Sequence, residues 1–295
     1  MENTNLRTDL RTDISKKLFT NREKLSSSSN KTYTALLFNL LKHLKLPMNI
    51  SSFTKHKDDI IKFHETNDQS TQTNKTRLSA LYVLTEIEDY KTLMVKLCEI
   101  VNDLYKTQKL NQKQLDNRIT FDEVCDKVNS LEKILKNDPT PDNYTNFILL
   151  SLMSGIWPNI PPRRNEYGSV KLQGYNETTD NYLLKNKIIF NTYKTSSKYG
   201  QQIVTIPPKL MTVIRKWLKI NKTDYLFTTN NKELNSSQTT RKLHKIFDAI
   251  IGANELRSIF LSNYYKDIPK LNNMEELADA MGHNISTAMS RYVKK

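Results

Sequence analysis

The chain has 295 residues, 37% of them hydrophobic and 9% aromatic, enough for two domains with cores of their own and too apolar for a disordered chain. Lysine and arginine number 45 against 31 acidic residues, a formal charge of +14, which favours a polyanionic partner, nucleic acid first, over an acidic small molecule. Cys98 and Cys125 are the only cysteines, which excludes a disulfide framework and a cysteine zinc site; a polar N-terminus and no apolar run of roughly 18 residues point to an intracellular or nuclear protein without a membrane partner.

The first half reads as helical. In 31–45 the apolar residues Tyr33, Leu36, Leu37, Leu40, Leu41 and Leu44 recur at helical spacing, after serines 26–29 that can cap the start and before Pro47. The same periodicity runs through 76–87 (Leu78, Leu81, Val83, Leu84) and 90–104 (Leu93, Val95, Leu97, Ile100, Val101, Leu104). A bundle of about four helices behind a polar N-terminal arm is expected. The stretch 106–117, KTQKLNQKQLDN, is nearly free of apolar residues and reads as a linker, giving domains at 1–115 and 118–295.

The second half is mixed. Helical patterns at 120–135 and 141–153 stop at Gly155-Ile156-Trp157-Pro158, and Pro161-Pro162-Arg163-Arg164-Asn165-Glu166-Tyr167 follows. Strands are expected at 169–172, 187–193 and 201–206, the last two forming a hairpin around 195–200 with Lys194 at the turn. Pro207-Pro208 opens a helix with Leu210, Val213, Ile214, Trp217 and Leu218 on one face, and helices continue to the end apart from Tyr225-Leu226-Phe227. No internal repeat, glycine-rich phosphate loop or acidic metal cluster appears, so no cofactor and no metal is expected.

Several positions can carry chemistry. Arg163 stands in Arg-x-x-Glu after the proline break, where a guanidinium can clamp a phosphate while Glu166 orients it or caps the next helix; Arg164 is its rival by one residue. Arg257 follows Asn254 by three, which on a helix puts both on one face. Lys194 can act as a general acid toward a leaving oxygen, with Lys198 competing. His283 follows Gly282 after an expected helix at 274–281 capped by Asn273, with the glycine in a left-handed turn. Tyr292, on an expected helix at 286–295, is flanked by Ser290, Arg291, Lys294 and Lys295. A phenol with an ordinary pKa near 10 needs cations and a proton acceptor before it can attack phosphorus.

Arg163-x-x-Glu166, a hairpin lysine, Asn254-Glu-Leu-Arg257, Met281-Gly282-His283 and Tyr292, in that order from about residue 118 onward, resemble the signature of the tyrosine recombinase (phage integrase) family. The first half, with Ser29-Asn30-Lys31-Thr32-Tyr33, is similar to that family's helical core-binding domain, and Pro-Pro-Arg-Arg-Asn-Glu-Tyr with the lysine- and asparagine-rich composition resembles the recombinases of large DNA viruses of eukaryotes and their satellite viruses. The resemblance implies a mainly α fold with a small antiparallel β-sheet (α+β), a core-binding domain and a catalytic domain closing as a clamp around double-stranded DNA. It implies that Tyr292 is the nucleophile of a 3′-phosphotyrosyl link, that Arg163 and Arg257 hold the phosphate, and that Lys194 protonates the leaving 5′-oxygen. His283 would hold the phosphate or manage the tyrosine proton, and four protomers would exchange strands on two sites through a Holliday junction.

Two departures stand out. Asn254 occupies a place where the family often has histidine, and an amide cannot exchange a proton at neutral pH. Only Val293, Lys294 and Lys295 follow Tyr292 in this sequence, where many relatives extend a further helix. Two other functions share these residues: a topoisomerase of the same chemistry, which relaxes supercoils without partner sites, and a DNA-binding protein on a decayed recombinase fold, indifferent to Tyr292→Phe.

Overall fold

The computed structural model describes residues 2–107, 115–117, 119–266 and 271–293. The chain divides into two compact units, Met1–Lys106 and Thr107–Lys295. Most of the expected linker at 106–117 lies outside the described residues.

The first unit holds α1 (Glu2–Asn21), α2 (Ser27–His43), α3 (Ser52–Lys55), α4 (Lys57–Thr66), α5 (Thr71–Thr85) and α6 (Glu88–Lys106). The polar N-terminal segment is therefore a helix and not an arm. Its sparse apolar residues Leu10, Ile14 and Leu18 fall four apart and are all buried, a stripe sufficient to dock one face. Ser26 caps α2 by accepting the Ser29 N–H at 3.1 Å, and Ser70 caps α5 through the Thr73 N–H, so α5 starts well before its apolar periodicity does. Leu37, Leu40, Leu41, Phe53, Ile60, Leu78, Leu81 and Tyr90 form the core. The buried Tyr90 hydroxyl donates to the Phe53 carbonyl at 2.7 Å.

The second unit opens with α7 (Phe121–Asn137) and α8 (Pro141–Met153). Thr120 and Glu123 form a capping box on α7, and Pro141 occupies the first turn of α8. After the proline break comes a 3-10 turn, Asn165–Ser169. The expected strand at 169–172 is not formed: only Lys171 pairs, by single bridges to Tyr182 and Tyr225.

A three-stranded antiparallel sheet follows in the order β1 (Tyr182–Leu184), β2 (Lys187–Phe190), β3 (Gln202–Thr205). Leu183, Ile188 and Val204 stand side by side in the register and are buried. β2 ends at Phe190, short of Tyr193, and its connection to β3 carries a helical turn, α9 (Ser196–Tyr199). α10 (Pro208–Ile220) packs Leu210, Ile214 and Trp217 inward. A small hairpin, β4 (Thr228–Thr229) with β5 (Lys232–Glu233), turns at Asn230 and Asn231, both at positive φ. That conformation suits asparagine in two-residue hairpins. α11 (Ser236–Phe247), α12 (Ala253–Tyr264), α13 (Leu271–Ala280) and α14 (Ile285–Thr287) complete the unit, and a π turn at Ala288–Tyr292 follows α14. Asn273 lies inside α13 and is not its cap, and the expected long helix at 286–295 is this short helix plus π turn, with Lys294 and Lys295 outside the described residues.

Phe147, Leu150, Ile188, Phe190, Ile214, Phe227 and Leu256 belong to the main core. A second core of Leu261, Tyr265, Met281, Ala288 and Val293 fastens the π turn to α12. α12 thus packs into both cores. Among the described residues no helix is long and apolar enough to cross a membrane.

Candidate active site

Arg257 is fixed by the burial of its neighbours. Ala253 and Leu256 anchor α12 in the main core, and the Arg257 side chain, 1% exposed, is carried into the interior. Its Nη1 donates to the Pro162 carbonyl at 3.3 Å, and Nη1 and Nη2 reach the Met281 carbonyl at 3.4 and 3.3 Å. Arg163, 3% exposed, lies over the Phe190 and Tyr193 rings with Cζ at 4.3 and 4.9 Å. Its Nη1 donates to the Ala280 carbonyl at 3.1 Å and to Gln202 Oε1.

The two guanidiniums therefore hang from successive carbonyls at the C-terminal end of α13, where the helix dipole places partial negative charge. The Nε of each is buried with no hydrogen-bond partner. The ion pairs found among the described residues involve other groups. Buried cations without a direct carboxylate ion pair are costly, and an anion binding between them would relieve that cost. Burial is the main cause that lowers the Arg257 pKa to about 10, the Tyr292 hydroxyl opposing the shift and the Arg164 charge adding to it.

Gly282 adopts φ +70° at the end of α13, and the His283 N–H closes the turn on the Ala278 carbonyl at 3.0 Å. The site comes close to the sheet connection here. Thr195 Oγ1 donates to the Gly282 carbonyl at 3.1 Å, and a Cβ on Gly282 would stand 2.8 Å from that oxygen. Gln202 Nε2 adds a bond to the Asp279 carbonyl at 2.7 Å.

His283, 5% exposed, has Nδ1 3.2 Å from the Asn284 carbonyl and a buried Nε2 without a partner. Burial first, then the Arg257 charge, lowers its pKa to about 4. At neutral pH it is therefore an uncharged imidazole. Its ring stacks on Tyr292, centroids 5.4 Å apart and planes 22° from parallel. Arg257 Cζ lies 4.9 Å from the centre of the same Tyr292 ring. Any negative charge developing on this phenol is met by a fixed cation beside it.

Arg257, His283 and Tyr292 are thus in direct contact, and Arg163 joins them through Ala280 and Met281. Arg164 is half-buried, and its charge helps lower the pKa values of both Arg257 and His283, so both members of the arginine pair bear on the site. Glu166 does not hold Arg163; its Oε2 is buried without a partner in the 3-10 turn. Asn254 is exposed on the first turn of α12 while Arg257 is buried. Lys194 and Lys198 are both exposed in the β2–β3 connection; Lys194 precedes the anchored Thr195, and Lys198 Nζ lies 4.9 Å over Tyr199.

Gln202, Thr195 and Ser262 were not singled out by sequence, and Ser258, which directly follows Arg257 in the motif, was given no role. Each acts on main-chain carbonyls, and only the placement of Gln202 on a strand flanking the expected hairpin hinted at a role. Ser258 and Ser262 both donate to the Tyr292 carbonyl, at 2.6 and 3.3 Å.

No protein-family model matches the chain, and no curated protein matches its sequence. Among solved structures, the XerA recombinase aligns over 96% of this chain and 92% of its own, with 14% identity and a TM-score of 0.41. The Tn1549 transposon integrase, solved as residues 82–397 in complex with circular intermediate DNA, aligns over 97% of this chain and 95% of its own, with 14% identity and a TM-score of 0.51. The protein therefore shares the mainly helical, small-sheet fold of the Tn1549 transposon integrase.

Proposed function

We propose that the protein is a site-specific DNA recombinase that cuts and rejoins strands through Tyr292, the first unit serving as a DNA-binding domain and the second as the catalytic one. The contact of Tyr292 with a buried His283 and a buried Arg257 carries this reading. In the reaction Tyr292 Oη forms a bond to the scissile phosphorus and the P–O5′ bond breaks, leaving a 3′-phosphotyrosyl link. His283 takes the phenolic proton. The 5′-oxygen leaves with a proton from Lys194 or Lys198. Arg257, with Arg163 and Arg164, stabilises the pentacoordinate phosphorus. A 5′-hydroxyl from a partner duplex then reverses the step, and because the ester bond is exchanged and not hydrolysed, no external energy source is needed. Strand exchange between two duplexes calls for four protomers on two sites, by way of a Holliday junction.

The test is a denaturing gel for a covalent protein–DNA adduct on nicked suicide duplexes drawn from the ends of the genetic element that encodes the protein. Wild type should form an adduct that Tyr292→Phe does not. Specific binding with no adduct would instead identify a binding protein on this fold, and relaxation of supercoiled DNA without paired sites would identify a topoisomerase. Affinity should fall steeply with salt as lysines and arginines displace counterions from phosphates.

A further inference from the structure

Helical serines and threonines in this chain commonly turn their hydroxyls back onto the carbonyl four residues earlier, as do Thr32, Ser79, Thr85, Thr145, Thr212 and Ser290. Ser258 instead crosses to a different element and donates to the Tyr292 carbonyl at 2.6 Å. Ser262, one turn further along α12, adds a longer bond to the same oxygen. The acceptor lies at the end of the π turn, which closes from the Val293 N–H to the Ala288 carbonyl at 3.1 Å, where a side-chain donor can anchor the main chain. Ser258 directly follows Arg257, so one turn of α12 fixes both the guanidinium against the Tyr292 ring and the main chain that carries that ring.

We propose that Ser258, seconded by Ser262, is a positioning residue for the nucleophile: the two hydroxyls clip the Tyr292 carbonyl to α12 and set where the phenol stands relative to Arg257 and His283. This rests on Tyr292 being the nucleophile. The clip acts on the main chain, so it leaves the phenol free to react while removing the wobble of a segment that carries only a single π turn. Misplacement of a reacting group by about 1 Å costs on the order of a hundredfold in rate.

The experiment uses the full chain as wild type, Ser258→Ala, Ser258→Ala with Ser262→Ala, and Ser258→Thr. Amide hydrogen exchange without DNA reads the anchoring, and the single-turnover rate of adduct formation on a suicide duplex, measured beside the dissociation constant for that duplex, reads the positioning. The double alanine variant should exchange about tenfold faster over 285–293 with the rest of the second unit unchanged. Its adduct rate should fall about tenfold or more at an unchanged dissociation constant, and Ser258→Thr should recover most of both. Unchanged exchange over 285–293, or an adduct rate equal to wild type, overturns the proposal. So does faster exchange throughout the second unit together with weakened binding, which is the signature of a merely structural contact. If wild type itself forms no adduct, the reading of Tyr292 as nucleophile fails and the positioning role with it, while exchange still decides separately whether the hydroxyls anchor this segment.

Discussion

Acidification should weaken the second unit through His283 in a calculable way. The folded-state pKa lies near 4 against an ordinary 6.5, so the unfolded chain binds a proton that the folded one refuses. Stability is then fully present above pH 6.5 and is lost as pH falls toward 4. Between pH 7 and pH 5 this single group removes about 1.8 kcal/mol, since a tenfold difference in proton affinity between the folded and unfolded chain is worth about 1.4 kcal/mol. With a urea dependence of about 2 kcal/mol per molar, the unfolding midpoint should drop by about 0.9 M. Trp157 and Trp217, the chain's two tryptophans, both lie in the second unit, so their fluorescence follows that unit alone. The assay is urea unfolding at pH 7 and pH 5 for wild type and His283→Gln, which cannot titrate. Wild type should lose the larger part of that midpoint shift and the variant much less. Equal losses in the two proteins would show that His283 is not held neutral by burial.

Three further outcomes follow from packing. Gly155→Ala should destabilise the second unit by about 2–4 kcal/mol in urea unfolding, because the residue sits at φ +77° and the new Cβ would lie 2.4 Å from a Phe260 ring carbon. Thr120→Ala, which removes one half of the α7 capping box, should cost about 1 kcal/mol, read by the same fluorescence. Tyr90→Phe should speed amide exchange in α3 and α6 and cost about 1–2 kcal/mol, because it strips the buried Phe53 carbonyl of its donor.

Sequence carried the elements with dense apolar periodicity and explicit caps. α2, α7, α8 and α10 lie close to where their apolar patterns put them, with the serines before α2 and Pro207-Pro208 before α10 marking their starts. α1 escaped because widely spaced apolar residues such as Leu10, Ile14 and Leu18 barely register against its polar background. The segment at 169–172 read as a strand from its composition, yet strand formation depends on partners far along the chain, and the bonds it makes to them amount to isolated bridges at Lys171. At the site, residue types and spacing marked Arg163, Arg257, His283 and Tyr292. They could not show that Asn254 faces outward, since a spacing of three fits one helix face but does not say where a flexible side chain ends. Nor could they show the carbonyls of Pro162, Ala280 and Met281, because a main-chain acceptor leaves no trace in residue identity.

Those last two carbonyls have a mechanical consequence. Arg163 is held by Ala280 and Arg257 by Met281, so the separation of the two positive groups is inherited from a single peptide unit at the foot of α13. Neither can be displaced alone without breaking register with the other. Unwinding or tilting that one helical foot shifts both cations together, and Gln202, which bonds Arg163 and the Asp279 carbonyl, ties the sheet to the same motion. A shift of that foot therefore reaches both arginines, while the Pro162 carbonyl holds Arg257 and Gln202 holds Arg163 from a second side.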